Sequence, residues 1–72
     1  MNVMRRMSGK GDELVAEWDP ATVSEERLLE IEKEFKDWQG KGGFAGNLDN
    51  EELIETFDPN ANILLIPKIQ GG

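Results

Sequence analysis

Two periodicities divide the first half of the chain. From Asp12 to Trp18, Leu14, Ala16 and Trp18 alternate with Glu13, Val15 and Glu17, the two-residue period of a half-buried strand. From Leu28 to Trp38 the period changes: Leu28, Ile31, Phe35 and Trp38 recur at helical spacing and form one apolar stripe. Leu29 lies off that stripe, either as a singly exposed leucine or as part of a contact surface. Between the two segments, Asp19-Pro20 must turn the chain, because a residue before proline avoids the α region and aspartate favours turns. Thr22-Val23-Ser24-Glu25 has the spacing of a capping box, which predicts a helix from about Val23 to Trp38 with Gly40 as the residue that stops it.

The second half is less regular. Phe44 to Leu48 reads as a short strand weakened by Gly46, and Asp49-Asn50 as a turn, although Asp49-x-x-Glu52 also suits the cap of a short helix. In Glu51 to Phe57, Leu53, Glu55 and Phe57 alternate as in a strand, while the same residues would make two helical turns. The strand is the simpler reading, because the turn cluster Asp58-Pro59-Asn60-Ala61-Asn62 then makes a hairpin into Ile63-Leu64-Leu65-Ile66. That last run is unbroken and apolar, as expected of a central strand covered on both faces. Met1 to Gly11 leaves two readings open: a disordered arm, or a first strand with Val3, Arg5 and Met7 on one face. Trp18-Asp19-Pro20 and Phe57-Asp58-Pro59 echo one another, each placing an aromatic before Asp-Pro at the end of a predicted strand.

The elements add up to an α+β domain in which a small mixed sheet of three to five strands has one helix packed across it. The expected core is the helical stripe together with Leu14, Trp18, Phe44, Phe57 and Ile63 to Ile66. The organisation predicted is a flexible or edge-strand arm over residues 1–12, one domain over 13–69 and a mobile tail over 70–72.

Charge and composition narrow the function. Fifteen acidic residues against eight basic ones give a net charge of −7. Residues 1–12 carry Arg5, Arg6 and Lys10 against Asp12, a balance of +2, which leaves −9 on residues 13–72. A phosphate backbone would be repelled, so nucleic acid is excluded as a partner and a basic protein surface is favoured. No apolar run approaches the roughly 18 residues that span a bilayer, and the first residues do not form a signal peptide, so a cytoplasmic protein without membrane contact is expected.

With neither cysteine nor histidine in the chain, no partner base stands near Ser8, Thr22, Ser24 or Thr56, and no enzyme activity is expected. Asn47, Asp49, Asn50, Glu51 and Glu52 supply oxygen atoms, but not the ligand spacing and central glycine of a calcium loop, so neither metal nor cofactor is expected. Gly40-Lys41-Gly42-Gly43 follows a helix, whereas phosphate loops precede one, so it reads as a helix stop.

There remains Ile63-Leu64-Leu65-Ile66-Pro67-Lys68-Ile69-Gln70-Gly71-Gly72: an apolar strand, a proline, and two glycines that carry a carboxylate with no side chain to obstruct a narrow active-site channel. In these ten residues the chain resembles the ubiquitin-like sulfur-carrier and modifier proteins of thiamin and molybdopterin synthesis (the ThiS and MoaD type). The resemblance implies a β-grasp fold in the order ββαββ, adenylation of Gly72 by an activating enzyme, and thiocarboxylation or conjugation through Gly71-Gly72.

Two classes of function follow. In the first, the protein is a carrier or modifier whose Gly71-Gly72 tail enters an adenylating enzyme, with Lys68 and Ile69 at the root of that tail as further partner-binding residues. In the second, it is an interaction module, of the kind phages and mobile elements encode as accessory proteins, that binds a basic partner through Glu26, Leu29, Glu30 and Lys33. The protein is expected to be a monomer or a weak homodimer, the latter by burying the edge strand left open if the N-terminal arm is disordered.

Overall fold

A computed structural model describes residues 1–68 and shows the order β1 (Asn2–Ser8), β2 (Gly11–Trp18), α1 (Glu25–Gly40), β3 (Phe44–Asn47) and β4 (Ile63–Ile66). The strands form one mixed sheet in the spatial order β2-β1-β4-β3. Both outer pairs, β1 with β2 and β3 with β4, are antiparallel, while the inner pair β1 and β4 is parallel. The fold is therefore α+β, with α1 packed on one face of a four-stranded sheet, and its ββαββ order is compatible with a β-grasp.

Of the two readings left open for Met1 to Gly11, the first strand is the one that forms, as β1, although not at an edge. It is an interior strand, paired on both sides. Met4 is fully buried between α1 and the sheet, with Ala16 and Ile63 as its cross-strand partners. Two side chains hold the start of the strand: Val3 N–H donates to Asn62 Oδ1 (3.0 Å) and Asn2 Nδ2 donates to the Pro59 carbonyl (3.1 Å). The edge that a disordered arm would have left open for a homodimer is thus paired with β1. The free edges belong to β2 and β3, and β3 is partly covered where Leu53 bridges to Gly46.

β2 forms as the alternation predicts, with Ala16 and Trp18 buried, but Leu14 is 53% exposed. The cause is a register shift. Met4 faces Ala16 and Arg5 faces Leu14, so Val15 is an extra residue that reverses the alternation below it. Phe44, also expected in the core, is half exposed because Ala45, its neighbour on β3, takes the buried side.

The helix begins two residues later than the Thr22 box predicts. Asp19 has already taken the preceding amides: its carbonyl accepts from Thr22 and Val23, and its side chain accepts from Ala21. Ser24 is the N-cap instead, its hydroxyl accepting from Arg27 N–H (3.1 Å). At the other end Gly40 is still helical and Lys41 is the C-cap. Gly42 takes the left-handed conformation (φ 89°), with Gly42 N–H donating to the Gln39 carbonyl and Gly43 N–H to that of Trp38, the two bonds of a Schellman motif.

Residues 51–57 form neither the predicted strand nor a helix. Leu53 makes a single bridge, Glu51 sits at a positive φ of 59°, and Phe57 turns inward. The two aromatic-Asp-Pro echoes meet here. Trp18 and Phe57 pack at 6.0 Å between ring centroids, Phe57 lies 5.8 Å from Phe35, and the Trp18 indole donates to the Pro59 carbonyl (2.8 Å). Each Asp-Pro turn is closed in the same way, Asp58 Oδ1 accepting from Asn60 N–H as Asp19 Oδ1 accepts from Ala21 N–H.

Ile31 and Phe35 of α1 complete the core over Met4, Ile63 and Leu65. β4 is an inner strand as expected, but it is covered on one face only. Ile63 and Leu65 are buried beneath the helix, while Leu64 and Ile66 stay half-buried on the opposite face, which no helix covers among the described residues.

Candidate functional site

The candidate site is built where β4 gives way to the tail. β4 must leave the sheet at Ile66, because Pro67 has no N–H to continue the ladder. Trp38, in the last turns of α1, fixes that exit. Its indole N–H is shared between the Phe44 carbonyl (2.9 Å) at the start of β3 and the Ile66 carbonyl (3.1 Å) at the end of β4. One side chain therefore ties the helix to both strands at the point where the chain departs.

The glycine-rich exit of the helix makes this possible. A Cβ on Gly43 would collide with the Trp38 indole, and one on Gly42 would come within 3.2 Å of the Lys68 stem. Trp38, Lys41, Gly43, Pro67 and Lys68 line a small crevice at the root of the tail. Two cations, Lys41 and Lys68, thus line one crevice of a protein whose net charge is −7.

Of the sequence-predicted tail residues, Lys68 is placed here, exposed, with its stem over Gly42. Ile69, Gly71 and Gly72 lie outside the described residues. The other candidates are elsewhere. Glu26, Leu29, Glu30 and Lys33 are exposed on α1, with Glu30 Oε2 3.4 Å from Arg27 Nη1. Along a helix that rises about 1.5 Å per residue, Glu26 lies about 20 Å and Lys33 about 12 Å before Lys41, so these residues occupy the first half and middle of α1 while Lys68 sits at its C-terminal end. The structure therefore separates the predicted site residues into two surfaces.

Leu29 is 64% exposed and forms, with Leu28, Phe57 and Pro59, an apolar groove between α1 and the loop that precedes β4. Glu25 and Glu32 also line it, whereas Glu26, Glu30 and Lys33 do not. The spacing of Leu29 signalled a surface leucine. The opposite wall came from Phe57 and Pro59, which no local pattern links to α1.

A third surface was not anticipated. On the face of the sheet away from α1, Leu14 stands opposite Arg5, Arg5 opposite Leu64, and Phe44 opposite Ile66. Leu48 and Leu53 of the following loop join Leu64 and Ile66 around a shallow hollow. Its one available signal was a surplus of apolar residues over what a single helix can cover.

In the acidic loop 47–52, Asn47 Oδ1 accepts from Asp49 N–H and Asn50 Oδ1 from Glu52 N–H, while the Asp49 carboxylate accepts from Asn62 Nδ2 just before β4. Among the described residues no helix is long and apolar enough to cross a membrane. Compared with models of known protein families, with curated proteins and with solved structures, the chain matches none.

Proposed function

We propose that the protein is a small, acidic, non-enzymatic carrier or modifier of the ubiquitin-like kind, acting in the cytoplasm through the carboxylate of its Gly71-Gly72 tail. The observation that carries this reading is the path of β4. An inner strand, parallel to β1 and anchored at its last carbonyl by Trp38, is followed in the sequence by the segment that ends in the two glycines. A strand whose last carbonyl is held by a side chain gives the segment that follows it a fixed starting point, which favours an enzyme drawing the carboxylate into a channel. The ββαββ order supports the same reading.

In this role the carboxylate attacks the α-phosphorus of ATP in the partner enzyme, pyrophosphate leaves, and the resulting acyl-adenylate loses AMP to a sulfur or amine nucleophile. The protein contributes the carboxylate and its presentation; the partner contributes the catalysis. Its net charge of −7 favours docking on a basic enzyme surface.

Intact mass spectrometry of the protein purified from its own host tests the reading. The expected result is a fraction in which one oxygen of the Gly72 carboxyl is replaced by sulfur, or in which Gly72 is joined to another protein. Deletion of Gly72 should abolish this modification and leave the far-ultraviolet circular dichroism unchanged. An unmodified Gly72 in every fraction overturns the proposal.

The second reading, an interaction module for a basic partner, is favoured by the exposure of Leu29 on a helix with six acidic residues against three basic ones. It predicts that partner binding survives loss of Gly72 and fails on charge reversal along α1.

A further inference from the structure

We infer that the groove between α1 and residues 57–59 is a docking site for a basic amphipathic helix of a protein partner, and that Leu29 is its central contact. The inference does not depend on activation of Gly72. It also moves the contact surface from Glu26, Glu30 and Lys33 to the adjacent side of the helix.

The groove encloses about 340 Å³ and has Leu28, Leu29, Phe57 and Pro59 as its apolar surface. Glu25, Leu28, Leu29 and Glu32 fall at i, i+3, i+4 and i+7, so two leucines are framed along one helical face by a carboxylate at either end. Seven residues of helix place those carboxylates about 10 Å apart along the axis. A partner helix with the pattern cation-x-x-Leu-Leu-x-x-cation has the same spacing. Laid along α1, it would set its leucines against Leu28, Leu29 and Phe57 and its cations against Glu25 and Glu32.

Charge selects this occupant over the alternatives. A second copy of the chain presenting the same face would bring Glu25 and Glu32 against carboxylates, a repulsion rather than a match. An uncharged apolar segment would leave both carboxylates partly desolvated without a counter-ion. Glu32 is free to exchange partners, because its contact with Lys36 is long (3.9 Å) and the Lys36 side chain is 68% exposed. The opposite wall is well anchored. Phe57 packs on both Trp18 and Phe35, and the Pro59 carbonyl accepts from Trp18 and Asn2, so the groove exists before a partner arrives.

The test is a titration of the ¹⁵N-labelled full chain with an amidated Ala- and Gln-based helical peptide bearing Arg-x-x-Leu-Leu-x-x-Arg at its centre, followed by two-dimensional NMR. Shift changes should concentrate in the amides of residues 25–32, Phe57, Asp58 and Asn60. Leu29→Ala should weaken binding by about tenfold, the scale expected when one leucine contact is removed. Glu25→Gln with Glu32→Gln should weaken it and flatten its salt dependence. Glu26→Gln with Glu30→Gln should change little. Leu29 and both groove carboxylates lie outside the buried core, so these variants keep the fold and the readout remains one of binding. The proposal is overturned by shifts spread evenly over the acidic surface, by equal binding of a peptide with glutamines for its leucines, or by an unaltered affinity in Leu29→Ala. It is overturned too if the same residues shift when the unliganded protein is concentrated, since the occupant is then a second copy.

Discussion

Trp38 and Gly43 form one device and should be tested as one. Trp38→Phe keeps most of the aromatic surface but leaves the Phe44 and Ile66 carbonyls without the indole donor they share. The cost should be about 1–3 kcal/mol, the usual range for such a loss at a partly buried site, seen as a lower urea midpoint with an unchanged slope. Gly43→Ala should destabilise independently, because the added methyl displaces the indole. In the double variant Gly43→Ala/Trp38→Leu the two losses should fall short of their sum, since the side chain displaced is already gone. Trp38 was legible as the last member of the helical stripe. Its hydrogen bonds were not, because the Ile66 carbonyl is 28 positions away and no local spacing shows that β3 and β4 converge there.

At the scale of elements, the helix caps offer a direct comparison. Ser24→Ala should cost about 1 kcal/mol, the loss of an N-cap hydroxyl, whereas Thr22→Ala should have little effect on thermal unfolding because the Thr22 hydroxyl is not the cap. The reverse order would restore the Thr22 capping box. The sequence showed that a helix starts near here, since Thr22 and Ser24 are both competent caps. What it hid was the Asp19 carbonyl, which claims the amides of Thr22 and Val23 and delays the start. β2 was equally readable down to Val15, where one extra residue turns Leu14 outward. Leu53, Glu55 and Phe57 showed a strand's alternation for an unrelated reason. Leu53 lies at the edge beside Gly46, and Phe57 is drawn inward by Trp18 and Phe35. Two separate packing demands two or four residues apart look the same as a strand when only spacing is visible.

For the whole molecule the decisive element is β1, which composition gave little reason to trust. Its run of Met, Arg and Ser offers one fully buried residue, Met4, and its place in the sheet depends on β4 and on Asn62 rather than on its own pattern. Deleting residues 2–8 should therefore abolish cooperative urea unfolding. A truncated protein with an intact transition and the original midpoint would show that β1 is a dispensable appendage. The parallel pairing also sets the direction of the molecule: Met1 lies at the end of the sheet away from Pro67, separated from it along β1 by about 20 Å. A fusion at Met1 should accordingly leave binding at Lys68 and beyond unaffected.

The join at the middle of the sheet links Val3 to Asn62, 59 positions later. Contacts so distant along the chain slow folding, because the loop between them must be ordered first. On the ribosome, β1 is made early but finds its inner partner only when β4 has emerged. Until then its unpaired side and the apolar face of α1 are open to chaperones and to other nascent chains. A message truncated anywhere before Asn62 would consequently yield a product for degradation rather than a smaller working domain.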